Sequence, residues 1–379
     1  MTVLYEAACQ PGSPMSRRAP RTTGDEAVDD AVRGLLDVLQ PGANRHLVAE
    51  CLNTVALLAQ EDHDKLDLKI TSAALAEMRR AFGVFRPYRA KPKITMFGSA
   101  RTTPEEPVYA QARACAARIA EAGWMVVTGA GPGIMAAGME GAGLELSMGV
   151  NISLPFEQSA NAFIERDPKL VTMKYFFTRK LMLIKESDGY VVLPGGFGTL
   201  DEAFELLTLL QTGKAEPAPV VLLDVPGGTY FDGWSRFVEE EVVKRNLVGE
   251  VDLSLYRVTD SVEVAAEEIL GFYRSYSSLR YVGNRLMLRL KVEPTPDEVG
   301  ELDTLFADIC VPGLGGFELV GAATEELAEG DSLDRHRLAF PFDRLSTGRL
   351  RQLIDHLNRL PSVAAASLPA GVGAPYPVE

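Results

Sequence analysis

Two charged residues, Arg179 and Glu202, and three glycine-rich loops are the parts of this 379-residue sequence whose types and spacing suit chemistry. The loops read Phe97-Gly98-Ser99-Ala100-Arg101, Gly129-Ala130-Gly131-Pro132-Gly133-Ile134-Met135 and Pro194-Gly195-Gly196-Phe197-Gly198-Thr199. Glycine has no Cβ, so its backbone N–H can approach an anion closely, and a helix N-terminus adds favourable partial charge. Residues 195–199 therefore read as a seat for a phosphate-sized anion, with Thr199 expected to donate a hydroxyl while capping the helix that follows. Tight strand-to-helix turns also need glycine for geometry alone, and a single such loop is more often structural. Three on one sheet weigh towards a nucleotide.

The reactive side chains lie close to these loops in sequence. Arg179-Lys180 sits in the helical stretch YFFTRKLMLIKE, and Glu202 lies in the first turn after the third loop, with Glu205 a turn further on. A carboxylate in a first turn is favoured by the helix N-terminus, so Glu202 is expected to stay ionised at neutral pH. The plainer alternatives are a Glu202 that merely complements the helix dipole and an Arg179-Lys180 pair on a solvated face. The kind of nucleotide is constrained. Gly129-x-Gly131-x-Gly133 is not the full GxGxxG fingerprint, and the residue near the end of the next strand is Asn151, not an acid for a dinucleotide ribose. No GxxxxGK[ST] occurs, which argues against a magnesium-triphosphate site. A monophosphate held without metal or cofactor fits better.

The elements that must position these residues begin at Lys93. Short apolar runs at 94–97, 124–128, 148–152, 170–173, 190–194, 219–224 and 256–259 alternate with amphipathic stretches at 107–121, 133–145, 175–186, 199–211, 234–245 and 261–273. Strands rich in Val, Leu and Ile, mostly followed by a helix, imply βαβ crossovers and a parallel sheet covered on both faces. The fold class expected is α/β, a doubly wound Rossmann-like domain over 90–277. Before it, 25–88 reads as a helical unit with Val32, Leu35, Leu36 and Leu39 on one helix, Val48, Cys51, Leu52 and Val55 on a second, and Leu66, Ile70, Met78 and Phe82 on a third. After it, 280–360 reads as a small α+β domain. Its first strand, Arg285 to Val292, alternates polar and apolar residues as if one face were exposed, and Thr295-Pro296-Asp297-Glu298 is a capping box. Arg344, Arg349, Arg351 and Arg359 near the last helix offer either an anion site or a solvated face. Residues 1–24 and 361–379 read as flexible tails.

Composition bounds the rest. Apolar residues make up 46% and charged residues 24%, as in globular protein. Thirty-eight basic against 52 acidic residues give a net charge of −14, which disfavours general affinity for nucleic acid or anionic membranes. No apolar run reaches membrane-span length and no secretory signal is legible, so a cytoplasmic location is expected. Cys9, Cys51, Cys115 and Cys310 are too dispersed for a disulfide framework, and His46, His63, His336 and His356 show no metal-ligand spacing.

In this order the motifs resemble the Lonely Guy family of nucleoside 5′-monophosphate phosphoribohydrolases, also labelled lysine decarboxylases. The family's PGGxGTxxE motif stands complete from Pro194 to Glu202, and its upstream Arg-Lys pair matches Arg179-Lys180, 23 residues before the glutamate. GAGPGIM at 129–135 and FGSA at 97–100 match its other loops, so the resemblance covers about 92–275. It implies hydrolysis of the N-glycosidic bond of an AMP-like or cytokinin riboside monophosphate, with Arg179 and Glu202 catalytic. Substrate contacts would come from Gly98, Ser99, Gly129, Gly131, Gly133, Met135, Lys180, Gly195, Gly196, Phe197, Gly198, Thr199 and Thr208. Short members carry a GETxGE-like segment where this chain reads LPFEQSANAFIERDP, so Glu157, Gln158 and Asn161 are the candidates for that role. The long form resembles a bacterial branch, and a homodimer or higher homo-oligomer is implied. No pyridoxal-phosphate site is legible. A non-catalytic nucleotide sensor or a molybdenum-cofactor carrier-like binding protein is the alternative, because such proteins share the fold; a dinucleotide oxidoreductase lacks its ribose acid.

Overall fold

The computed structural model describes residues 22–153 and 160–366. The chain divides into two units, 1–76 and 77–379, with the boundary inside a helix. The first unit holds α1 (Glu26–Leu39), α2 (Arg45–Gln60) and the start of α3 (Lys65–Phe85). Asp25 caps α1 by accepting from the amides of Ala27 and Val28, and Gln40 ends it in a left-handed conformation. The apolar faces expected of these helices are largely on the surface. Leu36, Ala49 and Ala74 are buried, whereas Leu35, Val38, Leu39, Cys51, Val55 and Leu66 are exposed. On α3 the buried stripe within the second unit is Glu77, Ala81 and Phe85, not the Met78 and Phe82 face.

The second unit is built on seven parallel strands: β1 (Lys93–Phe97), β2 (Met125–Thr128), β3 (Ser147–Ile152), β4 (Leu170–Met173), β5 (Gly189–Val192), β6 (Val220–Leu223) and β7 (Arg257–Thr259). Their order is β4-β3-β2-β1-β5-β6-β7. The chain starts in the middle, winds outward through β4, then crosses back to lay β5 against β1, pairing Thr95 with Tyr190 and Phe97 with Val192. Side chains alternate between faces, as the pleat demands. Ile94, Met96 and Val126 join a core with α4 (Pro107–Glu121), α5 (Ile134–Leu146) and α9 (Val262–Phe272). Met125, Val127 and Val150 join another with α6 (Phe176–Lys185), α7 (Phe197–Gln211), α8 (Tyr230–Phe237) and the end of α3. This is the doubly wound α/β architecture expected. The stretch 234–245 departs from a regular helix, because α8 runs on into a π-helical segment, Val238–Val243.

A four-stranded antiparallel sheet follows, with β8 (Tyr276–Val282), β9 (Arg285–Leu290), β10 (Glu318–Val320) and β11 (His336–Phe340) in the order β10-β11-β9-β8. Helices α10 (Pro296–Leu305), α11 (Thr324–Glu329), α12 (Thr347–Leu357) and α13 (Pro361–Ala365) complete it, and Leu288, Phe340 and Leu353 share the core of α9. The capping box forms as the sequence indicates, Thr295 Oγ1 accepting from Glu298 N and Glu298 from Thr295 N. Three expectations are corrected here. YSSLRYV is a strand although it lacks an apolar run. β9 has no solvent face, since Arg289 is buried and pairs with the fully buried Glu326 on α11. Residues 361–365 of the expected tail are helical, with Val363 buried. No helix among the described residues is long and apolar enough to cross a membrane.

Candidate active site

A parallel sheet binds ligands beyond the carboxyl ends of its strands where the winding direction reverses, here between β1 and β5. The glycine loops meet at that crevice. Ser99 N donates to Pro194 O (3.2 Å), joining the loops after β1 and β5, and Ile134 N donates to Ser99 O (3.0 Å), tying in the start of α5. Close approach is what the glycines provide. A Cβ on Gly98 would stand 2.5 Å from Ile134 Cγ2, and one on Gly133, whose φ is +67°, would strike the Ser99 carbonyl.

Arg179 is buried on α6. Its Nε donates to Val150 O at the end of β3 (3.0 Å), and its Nη1 reaches Glu202 Oε1 on α7 (3.3 Å). Its Nη2 lies against Gly129, where any side chain would overlap it, and Met135 Sδ would be 2.8 Å from the same added carbon. Gly129 is therefore a vacancy cut for the guanidinium. Glu202 lies five residues beyond the first residue of α7, past the first turn, where the dipole's pull has largely faded. Burial pushes its pKa up to about 7 against the opposing pull of Arg179 and Lys180. The expectation of a fully ionised carboxylate at neutrality is corrected: the group is near half-protonation. Burial likewise lowers the pKa of Arg179 while Glu202 holds it up.

The loop after β5 ends in an open helix N-terminus. Gly196 is the N-cap of α7 and, among the described residues, no side chain caps the helix or takes its first amides. Among the described residues, a Cβ on Gly196 or Gly198 would meet nothing within 4 Å. The Phe197 ring is 94% exposed beside it. Thr199 does not cap: it is the third residue of the helix, buried, with its side chain against Gly195.

Other expected site residues make contacts within the protein. Lys180 turns to Asp201 (2.9 Å) and Glu205; burial opposes its charge, but these pairs prevail and raise its pKa. Asn161 latches the loop after β2, its N donating to Ala130 O (2.8 Å) and its Nδ2 to Gly131 O (2.9 Å), which steadies the left-handed Ala130. Thr208 is exposed, and its hydroxyl donates to Phe204 O on its own helix (2.7 Å). Glu157 and Gln158 lie outside the described residues. The arginines near α12 are mostly engaged: Arg351 is buried against Glu268 and Asp355, Arg349 pairs with Asp308, and Arg344 lies over the Tyr281 ring.

Three supporting residues escaped the sequence reading. Glu77, on the buried stripe of α3, accepts from Lys174 N (2.8 Å) and Thr178 Oγ1 (2.7 Å) and so anchors the start of the helix that carries Arg179. A carboxylate three residues after Ala74 and four before Ala81 was the signal available. Asp224 closes β6 and accepts from the amides of Val225, Tyr230 and Phe231. Tyr230 Oη then donates to Gly195 O (2.7 Å).

Residues 130–269 match the profile of a family described as "Possible lysine decarboxylase". A probable cytokinin riboside 5′-monophosphate phosphoribohydrolase of Arabidopsis thaliana is 42% identical over 64 residues, 17% of this chain and 30% of that protein. One of Oryza sativa subsp. japonica is 35% identical over 89 residues, 24% of this chain and 39% of that protein. The chain thus spans well under half the length of these curated relatives. Among solved structures, the molybdenum cofactor binding protein of Rippkaea orientalis is 22% identical over 47% of this chain and 94% of its own, with a TM-score of 0.32.

Proposed function

We propose, from the premise that residues 130–269 belong to the Lonely Guy family, that this protein hydrolyses the N-glycosidic bond of a nucleoside 5′-monophosphate to free base and ribose 5-phosphate. The observation that carries the reading is the little-exposed Arg179–Glu202 pair, 3.3 Å apart between α6 and α7, with Glu202 on the helix whose N-terminus, uncapped among the described residues, opens into the switch-point crevice. A pure binding site has no need of a carboxylate held near pH 7.

Glycosidic cleavage builds positive charge at the anomeric carbon. With the 5′-phosphate on the amides of 196–198, the sugar extends along α7 towards Glu202. In its ionised form Glu202 stabilises the charge and takes a proton from the water whose oxygen bonds to the anomeric carbon. The electron pair of the breaking bond leaves with the base nitrogen, which acquires a proton. Arg179 holds the carboxylate in place and offers hydrogen-bond donors to base or ribose. Phosphate binding far from the reacting bond is converted into positioning. The substrate class is AMP-like or cytokinin riboside monophosphates, and the reading extends to a homodimer or higher homo-oligomer.

The test is chromatography for free base after incubation with AMP, GMP, CMP, UMP, IMP and N6-isopentenyl AMP, with Glu202→Ala alongside. Base release by wild type alone is the expected result. Release by Glu202→Ala at the wild-type rate would remove Glu202 from the mechanism, and no release from any monophosphate would overturn the activity.

A further inference from the structure

We propose that Tyr230, held by Asp224, is a positioning residue that aims the anion-binding amides of the loop after β5. The inference rests on the phosphate seat proposed above. Three successive carbonyls of that loop are each taken by a different element. Pro194 O accepts from Ser99 N (3.2 Å), Gly195 O from Tyr230 Oη (2.7 Å), and Gly196 O from Leu200 N inside α7 (3.1 Å). A trans peptide is planar, so its N–H points opposite to its C=O. Fixing these three carbonyls therefore fixes the N–H vectors of Gly195, Gly196 and Phe197, and the Tyr230 bond governs the amide of Gly196. Among the described residues a Cβ on Gly196 would meet nothing within 4 Å, which leaves the Tyr230 hydroxyl as the side-chain contact that holds that peptide plane.

The strut behind Tyr230 is itself built. Gly228 N donates to Val225 O (2.8 Å) across Pro226-Gly227, and Gly227 has a φ of +76°, which makes a turn that needs glycine at its third position. A Cβ on Gly228 would collide with the Asp224 carboxyl group. Asp224 Oδ2 accepts from Tyr230 N (3.0 Å) and Phe231 N (3.3 Å), replacing the cap that Thr229 does not supply to α8. Gln111 Nε2 holds the Asp224 carbonyl at 3.0 Å. Asp224 thus sets where α8 begins, and the first residue of α8 reaches across to Gly195.

Tyr230→Phe removes the hydroxyl and keeps the ring that meets Phe231 edge-on. One net hydrogen bond corresponds to about threefold to tenfold in affinity. The variant is expected to bind ribose 5-phosphate that much more weakly by calorimetry, and to raise KM for AMP by a similar factor with kcat within about threefold. Adenosine, which lacks the phosphate, should bind wild type and variant alike. Unchanged ribose 5-phosphate affinity in a variant whose wild-type parent binds it would overturn the inference alone. Equal weakening for AMP and adenosine, with a lowered Tm, would reduce Tyr230 to maintaining the fold and also overturn it. Wild-type protein that neither binds ribose 5-phosphate nor cleaves AMP would overturn the phosphate seat and this inference with it.

Discussion

If Glu202 must be ionised to work, its raised pKa sets the pH dependence of the reaction. With an apparent pKa of about 7, about a tenth of the protein carries the carboxylate at pH 6, so kcat/KM for AMP should fall with unit slope below pH 7 and level off above pH 8. The cause is burial opposed by Arg179, so removing that cation should move the titration upward. At 3.3 Å and an effective dielectric of ~20 the Coulomb attraction is about 5 kcal/mol, equivalent to nearly four pH units as an upper bound. Water entering the vacated space reduces it, and a rise of at least about one pH unit is expected in Arg179→Gln. The wild-type inflection is read from initial rates of base release between pH 5 and pH 9, and the carboxyl itself from 13C chemical shifts in both proteins. The same shift affects stability. Because the native state holds this proton above the pH at which the unfolded chain releases it, stability falls as pH rises from 4.5 to about 7. The loss approaches ~3 kcal/mol above that range, and Glu202→Gln should abolish this component. A wild-type inflection near 4.5, or a carboxyl titration that does not move in Arg179→Gln, would refute the reasoning.

Two further outcomes follow from packing. Gly129→Ala places a methyl group on Arg179 Nη2, so base release should drop at least ~100-fold with the far-ultraviolet circular dichroism unchanged, an effect of misplacing a catalytic group; near-normal kcat would mean the guanidinium has another productive position. Glu326→Gln removes the fully buried carboxylate to which Arg289 and Arg337 are both bonded, and leaves Asp331 as the remaining carboxylate on Arg289. It should cost about 3 kcal/mol or more in urea denaturation, and a loss under 1 kcal/mol would show that Asp331 and water suffice to hold the two arginines.

What the sequence made legible follows a physical line. The parallel strands announce themselves because both faces of the sheet are covered, so Ile94–Phe97, Met125–Thr128 and Val220–Leu223 are apolar apart from the buried Thr95 and Thr128. Gly129 and Gly133 were readable as close approaches, although only the structure shows that one accommodates a guanidinium and the other a carbonyl. Periodicity failed where burial is electrostatic rather than apolar. Arg289 and Glu77 each interrupt an apolar stripe and look like solvent-facing residues, yet each is buried because its charge meets fixed partners, Glu326 in one case and the Lys174 amide with the Thr178 hydroxyl in the other. For Asn161 and Lys180 the resemblance implied ligand contacts, and the structure shows what each side chain bonds within the protein, the Gly131 carbonyl for one and the Asp201 carboxylate for the other. The amides at the start of α7 have no side-chain cap among the described residues, and burial raises the pKa of Glu202 against the pull of Arg179. On the proposed reading, unspent hydrogen-bond donors and a carboxylate whose pKa burial raises are costs to the folded chain that would be recovered with a phosphate at one end of the crevice and a developing cation at the other.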